Sequence, residues 1–203
     1  MRRIFCIGRN YGEHIKELGN IVPSSPVIFM KPESSLVFNY GKTNFPKHGK
    51  ELHHEIEVVV ELSGHPKNQT KEAALACISG ITLGIDLTLR DVQEELKSKG
   101  LPWEKAKSFD GSALLGDLKK VGDIDLGNLD FSLEINGEIK QIGNTREMLL
   151  DIPSLILEVG NIWNLRSGDL IYTGTPKGVG KLNPGDKLIA KSPVLGIFEW
   201  DVL

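Results

Sequence analysis

His53-His54-Glu55-Ile56-Glu57-Val58-Val59-Val60 reads as one extended strand with two acids at its entrance. Side chains alternate along a strand. Glu55 and Glu57 therefore share a face with His53, while His54 joins Ile56 on the other. Like charges held that close repel, and they are costly to desolvate unless a positive group sits between them. The run that follows, Val58 to Leu62 interrupted only by Glu61, suits a strand entering a protein interior. Acids at the mouth of such a strand could form one side of a hard divalent-cation site, which favours carboxylate oxygens. The same spacing also fits a solvated strand face with two ordinary acids.

Around this strand the pattern is β-rich. Ile4 to Ile7 is a short buried strand that leads through Gly8-Arg9-Asn10 into a helical stretch from Tyr11 to Leu18, stopped by Gly19. Val27 to Met30 is another strand, and residues 33–51 read as a long surface connection or irregular hairpin. Thr70 can cap a helix running through Cys77. Ile81 to Leu87 is strand-like and contains Asp86. Thr88 caps the next helix, with Asp91 at the capping-box position and Gly100 closing it. Asn136-Gly137 marks a tight hairpin, and Pro153 to Trp163 is an amphipathic helix with proline in its first turn. Strands outnumber helices without regular alternation. The expected class is therefore α+β with a mixed or mostly antiparallel sheet and a few short helices.

The bulk numbers narrow the function. A chain of 203 residues, 25% charged and 40% hydrophobic, suits one globular domain with a real core. A net charge of -3 gives no basic footprint for nucleic acid. Cys6 and Cys77 make no disulfide framework and have no metal-ligand spacing, so both read as plain buried residues in a reducing compartment. The apolar run after Arg2-Arg3 is too short for a signal-peptide core, and no stretch approaches a membrane span. The expected location is cytoplasmic.

Several residues could carry chemistry. Asp86 is either a turn or capping aspartate or a third acid beside Glu55 and Glu57. Three such carboxylates would suit Mg²⁺ or Mn²⁺ more than Zn²⁺. His14 and Glu17 are three apart on one helical face: either an exposed pair or an imidazole made more basic by its carboxylate. The flanking Gly8-Arg9-Asn10-Tyr11-Gly12 could form a flap that carries this pair over a site. Lys107, and Arg90 with Gln93, are either surface groups or holders of a substrate carboxylate and a developing enolate. The glycine spacing in Thr173 to Lys181 is wrong for a phosphate loop, and Leu182 stands where Ser or Thr belongs. The segment could still present backbone N–H groups and Thr175 to an anion. No nucleophile elbow is present.

Taken together, Gly8-Arg9-Asn10-Tyr11 with His14 and Glu17, His53 to Glu57, Asp86 to Gln93, Gly100 to Asp110 and Thr173 to Gly180 resemble the fumarylacetoacetate hydrolase superfamily from residue 4 to the end. The nearest subgroup looks like its short, single-domain acylpyruvase-like or oxaloacetate decarboxylase-like members. One departure is Ala113-Leu114-Leu115-Gly116, where many relatives carry a Cys-Pro or similar pair. The resemblance implies a mixed β-sandwich roll over residues 1–203, a homodimer, and Mg²⁺ or Mn²⁺ on Glu55, Glu57 and Asp86. It implies a water-activating His14–Glu17 dyad on a lid spanning residues 8–20, with Lys107 near the developing negative charge. Arg9, Asn10, Tyr11, Arg90, Gln93 and Thr175 would contact a small 2-oxo acid. The activity implied is hydrolysis of the C–C bond of acylpyruvates. Decarboxylation or tautomerisation of oxaloacetate, or isomerisation of a hydroxydienoate, are the alternatives, and a non-catalytic carboxylate-binding module is the alternative of another class.

Overall fold

The apolar run after Glu57 forms the middle of a seven-stranded sheet in the computed structural model, which describes residues 2–17 and 25–203. In chain order the strands begin with β1 (Ile4–Gly8), β2 (Val27–Lys31), β3 (Leu36–Phe38), β4 (Lys42–Thr43) and β5 (Leu52–His54). They continue with β6 (Ile56–Leu62), β7 (Ile78–Asp86), β8 (Thr88–Leu89), β9 (Ala113–Leu115) and β10 (Asp130–Ile135). The last are β11 (Glu138–Asn144), β12 (Leu170–Tyr172), β13 (Gly180–Lys181), β14 (Lys187–Ser192) and β15 (Gly196–Val202). The helices are α1 (Gly12–Glu17), α2 (Lys71–Leu75), α3 (Arg90–Ser98), α4 (Glu104–Lys107) and α5 (Ile152–Ile162). Leu18 and Gly19, the expected end of the first helix, lie outside the described residues, as do residues 18–20 of the expected lid.

The large sheet runs β2-β1-β12-β6-β7-β9-β3, a five-stranded sheet runs β11-β10-β14-β15-β4, and a small one runs β13-β5-β8. Parallel pairs β1–β12, β3–β9 and β4–β15 among antiparallel ones make the two larger sheets mixed. Alternation along the strands decides which side chains meet. Val58, Val60 and Leu62 of β6 and Ile81, Leu83 and Ile85 of β7 join one core with Phe131, Leu133, Leu188, Phe198 and Trp200 from the five-stranded sheet. Burying a side chain of this kind stabilises the fold by roughly 1.5–3 kcal/mol. Val59 faces the other way, into a second cluster with Ile4, Cys6, Leu115 and Tyr172. The period of two sends Glu57 and Asp86 to that second face, away from the main core. Ala113 to Leu115, the departure from the family pattern, is the buried strand β9.

Gly84 keeps this arrangement tight. It pairs with Glu57 across β6 and β7, and a Cβ there would lie 2.7 Å from Leu114 O and 2.8 Å from Tyr172 Cε1. At the tight hairpin, Asn136 (φ 53) and Gly137 (φ 84) both occupy the left-handed region that such a turn requires. Asp151 caps α5 through Ser154 N–H at 3.0 Å, with Pro153 in the first turn.

Three local expectations are corrected. Residues 33–51 are not only a surface connection, because β3 and β4 from this stretch extend the two larger sheets. The helix capped by Thr70 ends at Leu75, and β7 already begins at Ile78. Thr88 is no cap: pairing with His53 draws it into β8, and α3 starts at Arg90. Asp91, its supposed capping partner, accepts the N–H groups of Lys50 at 2.8 Å and Glu51 at 3.3 Å. In each case long-range strand pairing outweighed a local signal. No helix among the described residues is long and apolar enough to cross a membrane.

Candidate active site

Glu55 falls between β5 and β6, at the point where the chain leaves the small sheet for the large one. The stretch from His53 to Val60 is therefore two strands with a step, not one. At the step Glu55 O accepts Asp86 N–H at 2.8 Å, so the two acids are clasped through their backbones. Glu55, Glu57 and Asp86 are all buried, and each offers a carboxylate oxygen within 4.8 Å of the others.

Three buried cationic side chains surround these acids. Lys107 Nζ donates to Glu55 Oε2 at 2.9 Å and to Asp86 Oδ2 at 2.7 Å. Arg90 pairs with Glu55 Oε1 and donates to Gln93 Oε1 at 2.6 Å. Lys31, at the end of β2, lies 2.7 Å from Asp86 Oδ1. Its protons, however, go to the carbonyls of Leu87 at 3.2 Å, Ser112 at 2.9 Å and Lys107. Lys31 thus supplies charge to Oδ1 without a hydrogen bond. That buried oxygen has no hydrogen-bond donor among the described residues.

The electrostatics split the two glutamates. Burial pushes both carboxyls up. At Glu55 the ammonium of Lys107 and the guanidinium of Arg90 reverse this and hold it well below the usual carboxylate range. At Glu57 the negative field of Asp86 adds to burial, and the Gly174 N–H, 2.7 Å from Oε2, offsets only part of it. Glu57 is the acid that most needs further positive charge. An all-oxygen set, a buried acceptor without a donor and a carboxylate short of positive charge together fit Mg²⁺ or Mn²⁺ on Glu55, Glu57 and Asp86.

The acids form the floor of a cavity whose walls include Arg9, His14, Phe29, Gln93, Lys97, Trp103 and Thr175. His14 Nδ1 lies 3.2 Å from Glu17 Oε2. Glu17 accepts the Gly178 N–H at 3.1 Å, which ties α1 to the loop after β12. A carboxylate only accepts, so the neutral tautomer that makes this contact carries its proton on Nδ1. The expectation that the loop's N–H groups serve an external anion is therefore modified: those of Gly174 and Gly178 serve Glu57 and Glu17.

Asn10 and Tyr11, two expected substrate contacts, are not among the residues lining this cavity. Asn10 donates to Leu150 O at 3.0 Å and Thr173 O at 2.9 Å, and accepts Leu150 N–H at 2.9 Å. Its amide thereby pins α1's approach to the sheet. Tyr11 is buried and lines a separate cleft with Glu147, Leu149 and Pro176. Burial raises its hydroxyl's pKa strongly.

Residue-by-residue reading missed Lys31, Gln141, Lys97 and the aromatic wall of Phe29 and Trp103. Gln141, buried in β11, accepts at Oε1 from His54 Nδ1 at 2.9 Å and from Ile56 N–H at 3.0 Å. Its amide donates to Thr175 Oγ1 at 2.9 Å and Pro176 O at 2.9 Å. With its oxygen so engaged, Thr175 has its own proton to donate. A signal for Lys31 existed, since a lysine closing the apolar run Val27–Met30 is a candidate buried charge. Nothing in the sequence around Gln141 marked it.

The chain belongs to the fumarylacetoacetate (FAA) hydrolase C-terminal family, whose model matches residues 3–203. It is 40% identical over 198 residues to the mitochondrial oxaloacetate decarboxylase of Dictyostelium discoideum, covering 97% of this chain and 90% of that protein. It is also 40% identical over 188 residues to the oxaloacetate tautomerase YcgM of Escherichia coli, covering 92% and 86%. Among solved structures it is similar to fumarylpyruvate hydrolase from Pseudomonas aeruginosa in complex with Mn²⁺ and pyruvate. That match has a TM-score of 0.93 at 30% identity, over 100% of this chain and 90% of that one.

Proposed function

We propose that this protein is a Mg²⁺- or Mn²⁺-dependent enzyme that interconverts the keto and enol forms of oxaloacetate or a close 2-oxo acid. The observation that carries the reading is the buried triad of Glu55, Glu57 and Asp86 with Lys107 bridging two of its members, beside a histidine whose Nδ1 is engaged by Glu17. The curated names of the relatives at 40% identity support the substrate class.

A bound cation supplies Lewis acidity toward the 2-oxo group and its carboxylate. The chain's own residues do the rest. Arg90, Gln93 and the Thr175 hydroxyl orient the carboxylate end of the substrate. His14 removes a proton from C3, Glu17 stabilises the imidazolium that forms, and passage of that proton to the enolate oxygen completes the enol and restores the neutral imidazole. Lys107 lies where negative charge develops on the enolate oxygen, and a preorganised ammonium in a water-poor cavity stabilises it. Phe29 and Trp103 keep that end of the cavity apolar, with Lys107 Nζ 5.0 Å from the Phe29 ring centre. α1 would act as the lid that brings His14 over the substrate.

The His14–Glu17 pair also favours a second reading. The same base could deprotonate water for attack on the distal carbonyl of an acylpyruvate. Cleavage of the C–C bond would release the acyl part as a carboxylic acid and leave a pyruvate enolate beside Lys107. An assay with purified protein, with and without Mg²⁺, would follow the enol absorbance of oxaloacetate, pyruvate release, and loss of acetylpyruvate. Mg²⁺-dependent enol equilibration, lost in His14→Ala, is the expected result. Activity on acetylpyruvate alone would favour the second reading, and equal rates for wild type and Glu55→Ala on every substrate would reject both.

A further inference from the structure

We propose that His54 is a positioning residue for the Thr175 hydroxyl, acting through Gln141 along a one-way chain of hydrogen bonds. This rests on the reading of the cavity as a 2-oxo acid site, and it adds a residue that never touches the ligand.

Two backbone groups fix the direction of the chain. Gln141 Oε1 faces Ile56 N–H at 3.0 Å, and Gln141 Nε2 faces Pro176 O at 2.9 Å. A backbone N–H only donates and a carbonyl only accepts, so a single orientation of the carboxamide satisfies both. The remaining roles follow from that orientation. His54 Nδ1, 2.9 Å from Oε1, carries a proton and donates it. Thr175 Oγ1, 2.9 Å from Nε2, accepts. The Thr175 hydroxyl thus turns its own proton away from Gln141. Thr175 lines the cavity, where an oxygen of a bound ligand is the acceptor that suits it.

The fold holds the far end of this chain in place. His54, Gln141 and Thr175 are all buried. His54 pairs with Gly180 across β5 and β13, and a Cβ on Gly180 would lie 3.2 Å from His54 Nε2. Glycine at that position lets β13 close on the edge of the ring, which leaves the imidazole little room to swing. His54 stands in the small sheet, Gln141 on the edge strand of the five-stranded sheet, and Thr175 in the loop after β12. The chain therefore ties two sheets to the wall of the cavity.

Every donor in the chain points the same way. The His54 N–H polarises the Gln141 carbonyl, the amide N–H becomes a stronger donor, and the Thr175 O–H gains in turn. Away from water such polarisation adds along the chain. It ends at a hydroxyl set to donate to a carboxylate or carbonyl oxygen. Without the imidazole, Gln141 Oε1 keeps only the Ile56 N–H, and the amide loses one of the two donors that hold its oxygen.

The test is a double-mutant cycle read by calorimetric titration of the Mg²⁺-loaded protein with pyruvate. His54→Phe removes the ring donor, His54→Asn keeps an N–H near the place of Nδ1, and Thr175→Val removes the hydroxyl. The inference predicts that His54→Phe weakens pyruvate binding roughly five-fold and that His54→Asn restores most of it. In the Thr175→Val background, His54→Phe should make no further difference. An equal loss in that background would mean that the ring acts on the neighbouring acids or on folding, and would overturn the inference. So would full affinity in His54→Phe, or His54→Asn binding no better than His54→Phe. A ¹⁵N spectrum of the wild-type imidazole tests the direction of the chain with no variant and no ligand: a protonated Nδ1 is expected, and a bare one would overturn it. Wild type that binds no pyruvate would overturn the reading of the cavity and this inference with it. Missing coupling with pyruvate still bound overturns this inference alone.

Discussion

Lys107 is the side chain whose loss should separate binding from chemistry. It touches two of the three carboxylates and faces the space where an enolate would form. Lys107→Met should lower kcat by about 10²–10³-fold, the usual cost of removing one preorganised donor to a developing oxyanion. Steady-state kinetics on oxaloacetate would check this, and an unchanged kcat would remove Lys107 from the mechanism. Gln141 acts one step further back. Gln141→Glu keeps an acceptor for His54 and Ile56 N–H but cannot donate to Thr175, so the hydroxyl loses its fixed orientation. The expected outcome is a KM raised roughly ten-fold with kcat little altered, and a fall in kcat alone would contradict this role. At this level residue type and spacing made the acids, His14, Glu17, Arg90 and Lys107 candidates with a bland alternative each, and the family resemblance chose between the readings. Gln141 had no such signal. Its partners lie in β5, in β6 and in the loop after β12, and only the folded register brings them to it.

The clasp between α1 and the Thr173–Lys181 loop depends on one backbone donor. Gly178 holds Glu17 through its N–H at φ 93, and a Cβ there would run into Lys140 O. Gly178→Ala should destabilise the fold by about 1–3 kcal/mol and loosen the dyad. The readout is kcat measured beside thermal unfolding: a lower Tm accompanied by a fall in kcat is expected if the contact positions His14. A lower Tm with kcat unchanged would mean that the contact is only structural. Elements with a strong local code, such as the Asn136-Gly137 hairpin and the Asp151-capped α5, were readable from sequence alone. The start of α3 was not, because Thr88 looks like a cap until β5 is known to pair with it. The step at Glu55 was equally hidden, since one alternating run passes through two sheets.

For the molecule as a whole, a cation bound at the acid cluster would couple stability to pH. A ligand that binds only the folded state at about 100 times its Kd adds about 2.7 kcal/mol. In a chain of this size that corresponds to a Tm rise of about 5–10 °C. Mg²⁺ or Mn²⁺ should produce such a shift in wild type and not in Glu57→Gln, as read by calorimetry. The sign with pH follows from Glu57. Its folded carboxyl is raised by burial and Asp86, so what it contributes to stability is present below the ordinary carboxylate value and lost as pH rises through the raised one. Glu55 is opposite: held low by Lys107 and Arg90 against burial, it stabilises above the ordinary value and loses this only on acidification. The cation-dependent Tm gain should therefore grow with rising pH as Glu57 gives up its proton to make room. A gain independent of pH would contradict that assignment.

The proposed function requires Glu55, Glu57 and Asp86 to hold one divalent cation. Crystals soaked in Mn²⁺ and measured at the manganese edge test it most directly. The account predicts a single strong anomalous peak at the point shared by the three carboxylates. Crystals of protein with Mn²⁺-dependent activity that show no peak there, or show it elsewhere, would contradict it.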